Sequence, residues 1–184
     1  MSKKALLIID SQVFPFDSQP PMYRGEDTLA LINALAHEAR ASGALVVFIQ
    51  HVGPIGSPME LNSAGWQLHP ALIRKSQDLV IGKQGNDSFY ETNLINVLQE
   101  NNVTELFFAG YATEFCVDTS FRSAVFHGYK CNLVKGAHTT KDRPILNAER
   151  VIAHHEWVLQ NLTCPGNPTA VIDASEIKWL DSDR

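Results

Sequence analysis

The chain has 184 residues, 45% of them hydrophobic and 19% charged, which is the balance of one folded globular domain and not of a disordered segment. A formal charge of −5 with no basic cluster argues against a nucleic-acid surface, and no apolar run is long enough to cross a bilayer. The cysteines, Cys116, Cys131 and Cys164, are odd in number and widely spaced, which suits neither a disulfide framework nor a zinc ligand set.

Met1-Ser2-Lys3-Lys4 leads into the apolar run Ala5 to Ile9, which is too short for a signal peptide and is broken by Asp10, so a cytoplasmic protein is expected. That run reads as a strand buried on both faces. Ser11 to Tyr23, rich in Pro, Ser and Phe, reads as a loop. From Glu26 to Arg40 the residues Leu29, Ile32, Leu35, Ala36 and Ala39 share one helical face, with Gly43 as the stop. Leu45 to Ile49 is a second buried strand. Gln50 to Pro70, with three glycines and three prolines, is a long loop of the kind that shapes binding sites. Leu79 to Ile81 forms a short strand reaching Lys83.

Thr92 then caps a helix carrying Leu94, Ile95, Val97 and Leu98. Glu105 to Ala109 is a fourth strand and Thr113 to His127 a helix closed by Gly128. Asn132 to Val134 is a fifth strand. Asp142 is expected to cap a helix through Leu159 with Ile145, Ala148, Ile152 and His155 facing inward. A sixth strand, Ala170 to Ile172, precedes a helical turn over Ser175 to Leu180. No repeat or linker interrupts the pattern, so residues 1–184 are expected to form a single domain.

Strand and helix alternate throughout, which predicts an α/β protein with a parallel sheet covered by helices on both faces. Ligands of such sheets bind beyond the carboxyl ends of the strands. Asp10, Lys83 and Cys116 all sit at or just past predicted strand ends, so one rim would collect an acid, a cation and a thiol. Taken singly, a cysteine near a helix start is more often a packing residue. An Asp after a strand often caps a turn, and a lysine is usually solvated. As a set they suit nucleophilic catalysis. Asp10 takes the thiol proton and later returns it to a leaving group. Lys83 and the helix dipole lower the thiol pKa. The N–H groups of the turn before Cys116 stabilise an oxyanion.

The segments Leu7-Ile8-Ile9-Asp10-Ser11-Gln12, Lys83 and Gly110-Tyr111-Ala112-Thr113-Glu114-Phe115-Cys116-Val117 resemble the signatures of the isochorismatase-like cysteine hydrolases. The likeness runs from Ala5 to about His155. The resemblance implies a Rossmann-like, three-layer α-β-α fold on a central six-stranded parallel sheet, with an Asp10–Lys83–Cys116 triad. It also implies a cis peptide at Tyr111–Ala112 that aims the N–H groups of Ala112 and Cys116 at the oxyanion. Dimers or tetramers are implied as well.

The departures narrow the chemistry. Nicotinamidases of this superfamily carry an Asp-x-His pair for a metal after the second strand, where this chain reads Gln50-His51-Val52. No metal and no cofactor are therefore expected. Isochorismatases that cleave a vinyl ether lack the cysteine, so Cys116 favours an amide, ureide or similar C–N bond. Vinyl-ether hydrolysis and a non-enzymatic binding module stand as alternatives. Candidate pocket residues are Gln12, Phe14, Phe16, His51, Trp66, Phe89, Tyr111 and Phe115, about half of the aromatics being core on burial habits. Family members usually place an aromatic at the position of Pro15, so either Phe14 or Phe16 could take its place. His138 could touch the rim but reads more simply as a loop residue.

Overall fold

The computed structural model describes residues 3–180. Six parallel strands form one sheet in the order β3-β2-β1-β4-β5-β6: β1 (Lys3–Ile9), β2 (Leu45–His51), β3 (Leu79–Lys83), β4 (Val103–Tyr111), β5 (Lys130–Thr139) and β6 (Thr169–Ile172). The inner strands are apolar at nearly every position because both sheet faces are covered. Along β1, Ala5, Leu7 and Ile9 enter one core while Leu6 and Ile8 enter the other. Helix α2 (Gly25–Ala41) covers the second core with Ile32, Leu35, Ala36 and Ala39. Helices α3 (Leu94–Glu100) and α4 (Asp118–Phe126) cover the first, joined by Leu159 of α5 (Ala148–Gln160).

The chain leaves β1 and goes to both sides of it, to β2 on one flank and β4 on the other. A crevice therefore opens above the carboxyl ends of β1 and β4, where the winding direction reverses. The two strands approach closely there. Gly110 pairs with Ile9 at φ +112°, and a Cβ on it would lie 2.0 Å from the Ile9 carbonyl oxygen, so only glycine fits.

Several boundaries differ from expectation. A short helix, α1 (Val13–Asp17), stands in the predicted loop after β1. The two predicted loops are zipped to each other. Val13 N–H donates to the Gln67 carbonyl at 2.9 Å, Phe14 N–H to Gly65 at 3.0 Å and His69 N–H to Ser11 at 3.0 Å. Helix α5 begins at Asn147, whose side chain accepts from the Arg150 N–H, and not at Asp142. Pro144 biases Arg143 out of the helical region, and Ile145 is 89% exposed instead of inward. Asp142 still serves the helix start by accepting the Ala148 N–H at 2.9 Å. Strand β5 continues past Val134 through a bulge at Lys135 and Gly136 (φ +72°), which returns His138 and Thr139 to the ladder beside Gly110 and Tyr111. The closing segment makes only a single 3₁₀ turn, Ala174–Glu176, fixed by a capping box between Asp173 and Glu176. Among the described residues, no helix is long and apolar enough to cross a membrane.

Candidate active site

Asp10 leaves β1 in a left-handed conformation (φ +45°), a region Asp tolerates better than most residues, and its N–H is held by the Ile49 carbonyl at 2.9 Å. Its side chain is nearly buried. Lys83, the last residue of β3, donates from Nζ to Asp10 Oδ2 at 2.8 Å and to the Gly85 carbonyl at 3.0 Å. Burial opposes the ammonium charge, but attraction to the Asp10 carboxylate holds the Lys83 pKa above its ordinary value. Asp10 Oδ1 is buried and accepts no hydrogen bond among the described residues. That leaves one carboxylate oxygen anchored and the other open to accept a proton.

Cys116 lies on a π-helical turn, Thr113–Val117, that separates β4 from α4. The Ala112 carbonyl accepts from both the Phe115 and Val117 N–H groups, at 3.0 and 3.1 Å, which widens the first turn beyond α-helical spacing. The Tyr111–Ala112 peptide just before it is cis. Cys116 Sγ lies 3.6 Å from Asn86 Oδ1. Burial, and next the Asp10 carboxylate, push the Cys116 thiol up to about 12 against the opposing pull of Lys83. The expectation of a depressed thiol pKa is thereby corrected: at this depth desolvation outweighs the neighbouring cation.

These groups open into a cavity of about 170 Å³. Asp10, Cys116 and Ala112 form its floor, Tyr111 and Phe115 one wall, and His51, Pro15, Met59 and Asn86 the remainder. Of the pocket candidates, His51, Tyr111 and Phe115 line this cavity. Burial, followed by the Lys83 charge, lowers the His51 pKa, so its imidazole is neutral near pH 7.

The other candidates have different places. Gln12 is fully buried and lies outside the cavity as a clamp: Nε2 donates to the His51 and Trp66 carbonyls at 3.0 and 2.7 Å, and Oε1 accepts the His51 N–H at 2.9 Å. Trp66 enters this clamp through its carbonyl, and its indole does not line the cavity. Phe14 points outward at 39% exposure. Phe16 packs behind the wall, its ring 6.5 Å from that of Tyr111 and 5.6 Å from His69. Phe89 is core, beside His127 and Tyr129. Pro15, between the two phenylalanines, is the residue that α1 turns into the cavity.

Met59 and Asn86 escaped the sequence reading, whereas the Pro15 position was marked there but its place given to Phe14 or Phe16. Asn86 alone left a trace, three residues past Lys83, but only the fold shows its loop tied to α4 through Ser120 Oγ, which donates to the Asn86 carbonyl at 3.3 Å and accepts the Ser88 N–H at 2.9 Å. His138 is buried, not in a surface loop. Its Nδ1 is 2.9 Å from Thr113 Oγ1, which ties it to the nucleophile turn, and its Nε2 lies 3.3 Å from Glu156 Oε1 of α5. Among the described residues no group of three or more His, Cys, Asp or Glu side chains could hold a metal ion.

Residues 4–166 match the isochorismatase domain family. The chain is 33% identical over 141 residues to a streptothricin hydrolase of Streptomyces noursei, covering 77% of this chain and 56% of that protein. It thus spans little more than half the length of that relative. A ureidoacrylate amidohydrolase of Acinetobacter baylyi is 37% identical over 71 residues, which is 38% of this chain and 29% of the relative. A crystal structure of an isochorismatase family protein superposes with a TM-score of 0.82 at 32% identity, covering 92% of this chain and 97% of the other.

Proposed function

The chain belongs to the isochorismatase family, and from that premise we propose that it is a metal-independent cysteine hydrolase that cleaves a C–N bond of a small amide or ureide. The observation that carries the reading is the Asp10–Lys83 ion pair facing the Cys116 cavity with Asp10 Oδ1 left open. The two named hydrolases among its relatives support it, the second by its amidohydrolase activity.

In this mechanism Cys116 Sγ attacks the substrate carbonyl carbon while its proton passes to Asp10 Oδ1. The raised thiol pKa favours proton transfer during attack over a standing thiolate. The developing oxyanion is held by the N–H groups of Ala112 and Cys116. Asp10 returns the proton to the leaving nitrogen, and the C–N bond breaks to give a thioester. Water then attacks the thioester and gives a proton to Asp10, which restores it to Sγ as the acid product leaves. Lys83 remains an ammonium throughout and keeps Asp10 oriented. The cysteines are all free, which suits the reducing cytoplasm we assign to it.

Screening small amides and ureides, with isochorismate beside them, tests this. Cys116→Ala and Asp10→Asn should each lower kcat about a thousandfold or more, mass spectrometry of the wild type should detect an acyl adduct on Cys116, and chelator should leave the rate unchanged. Undiminished turnover by Cys116→Ala would overturn the cysteine mechanism in favour of vinyl-ether cleavage. Failure of every substrate on the wild type, together with an unreactive Cys116, would favour a binding module.

A further inference from the structure

Resting on the reading of this cavity as the hydrolase's substrate site, we propose that it selects amides and ureides that carry no carboxylate. The argument is a charge inventory of the walls. A carboxylate taken out of water needs a cation or several strong donors, without which its burial costs several kcal/mol.

The cavity offers no surplus positive charge. Its ionised lining group is Asp10, which is negative. The Lys83 side chain is 0% exposed and its ammonium is already engaged by Asp10 and the Gly85 carbonyl. His51 enters as a neutral ring. Arg143 lies against two lining residues, its guanidinium 5.2 Å from the Phe115 ring centroid and hydrogen-bonded to the Tyr111 hydroxyl. There it is held by Glu114 Oε1 at 2.5 Å and by Thr140 Oγ1 at 3.1 Å. Lys83 with Asp10, and Arg143 with Glu114, cancel in pairs. An entering carboxylate would therefore be buried against apolar Pro15, Met59 and Phe115 with no uncompensated cation to meet it. An uncharged amide would instead meet Asn86 and His51 as hydrogen-bonding partners.

Iodoacetamide and iodoacetate test this without knowledge of the substrate, because they match in shape and differ in charge. With either, the Cys116 sulfur forms a C–S bond, iodide leaves and the thiol proton passes to solvent. Their relative rates at Cys116, followed by mass spectrometry and divided by the same ratio for 2-mercaptoethanol, should favour iodoacetamide about tenfold or more. Met59→Arg, which adds a cation to the wall, should bring the ratio toward one. A wild-type ratio of one or below overturns the charge rule while leaving Cys116 a reactive nucleophile. An unchanged ratio in folded Met59→Arg overturns its electrostatic origin. Labelling of Cys164 with no labelling of Cys116 by either reagent even at about pH 10 overturns the hydrolase reading beneath it.

Discussion

Opposing influences meet at Cys116. The turn before α4 and the Lys83 ammonium favour the thiolate, whereas burial and Asp10 favour the thiol, and the second pair prevails with a pKa of about 12. The protonated thiol is neutral, so a raised pKa means less thiolate at any working pH, and below that value the thiolate fraction grows tenfold with each unit that the pH rises. Alkylation of Cys116 by iodoacetamide should accordingly climb without a plateau between about pH 6 and pH 10. A plateau beginning below pH 8 would show a stabilised thiolate and contradict the proton transfer assigned to Asp10. The identities of Asp10, Lys83 and Cys116 were legible from their positions at strand ends. The sign of the thiol shift was not, because the cavity around it is closed by Met59 and Asn86 from distant loops and by Pro15 of α1.

At the scale of elements, the strands were readable because a buried parallel strand is apolar at every position, and α2 because its inward residues keep a 3.6-residue period. The segments between them were not, since their order comes from pairing with one another. Ser11 to Phe14 is fixed by Gly65 to His69, and Gln12 locks that pairing to the end of β2. Gln12→Ala would remove the partner of the His51 N–H and carbonyl, while the Trp66 carbonyl keeps Gln50 Nε2 at 3.1 Å, at a cost of about 1–3 kcal/mol. Because His51 lines the cavity, the same change should raise KM more than it lowers kcat, as steady-state kinetics and a thermal melt together would show. An unaltered KM would mean that the clamp serves stability alone. The bulge in β5 was equally hidden: Gly136-Ala137-His138-Thr139-Thr140 has loop composition, yet the ladder resumes after Gly136 and buries His138.

For the molecule as a whole, the alternation of elements foretold the layers, while the site's residues had to be gathered from the ends of four strands and the segments after them. We carry forward the dimer or tetramer implied by the resemblance. Trp157 of α5 and Ile145 of the preceding loop are 68% and 89% exposed, positions at which a charge tests for contact with a second copy. Light scattering should give at least twice the 20.4 kDa chain mass, reduced in Trp157→Glu with Ile145→Glu, whereas a wild-type monomer would refute the assembly.

Strand β3 is the sheet's five-residue edge, laddered only to β2, and Lys83 is its final residue. Edges open locally before a core does. Each such excursion would strip the ammonium from Asp10 while the central strands stay intact. Catalytic competence is therefore less durable than the fold that houses it. Under gentle denaturation, amide exchange at Ile81 to Lys83 and the loss of turnover should advance together, ahead of exchange in β1 and β4.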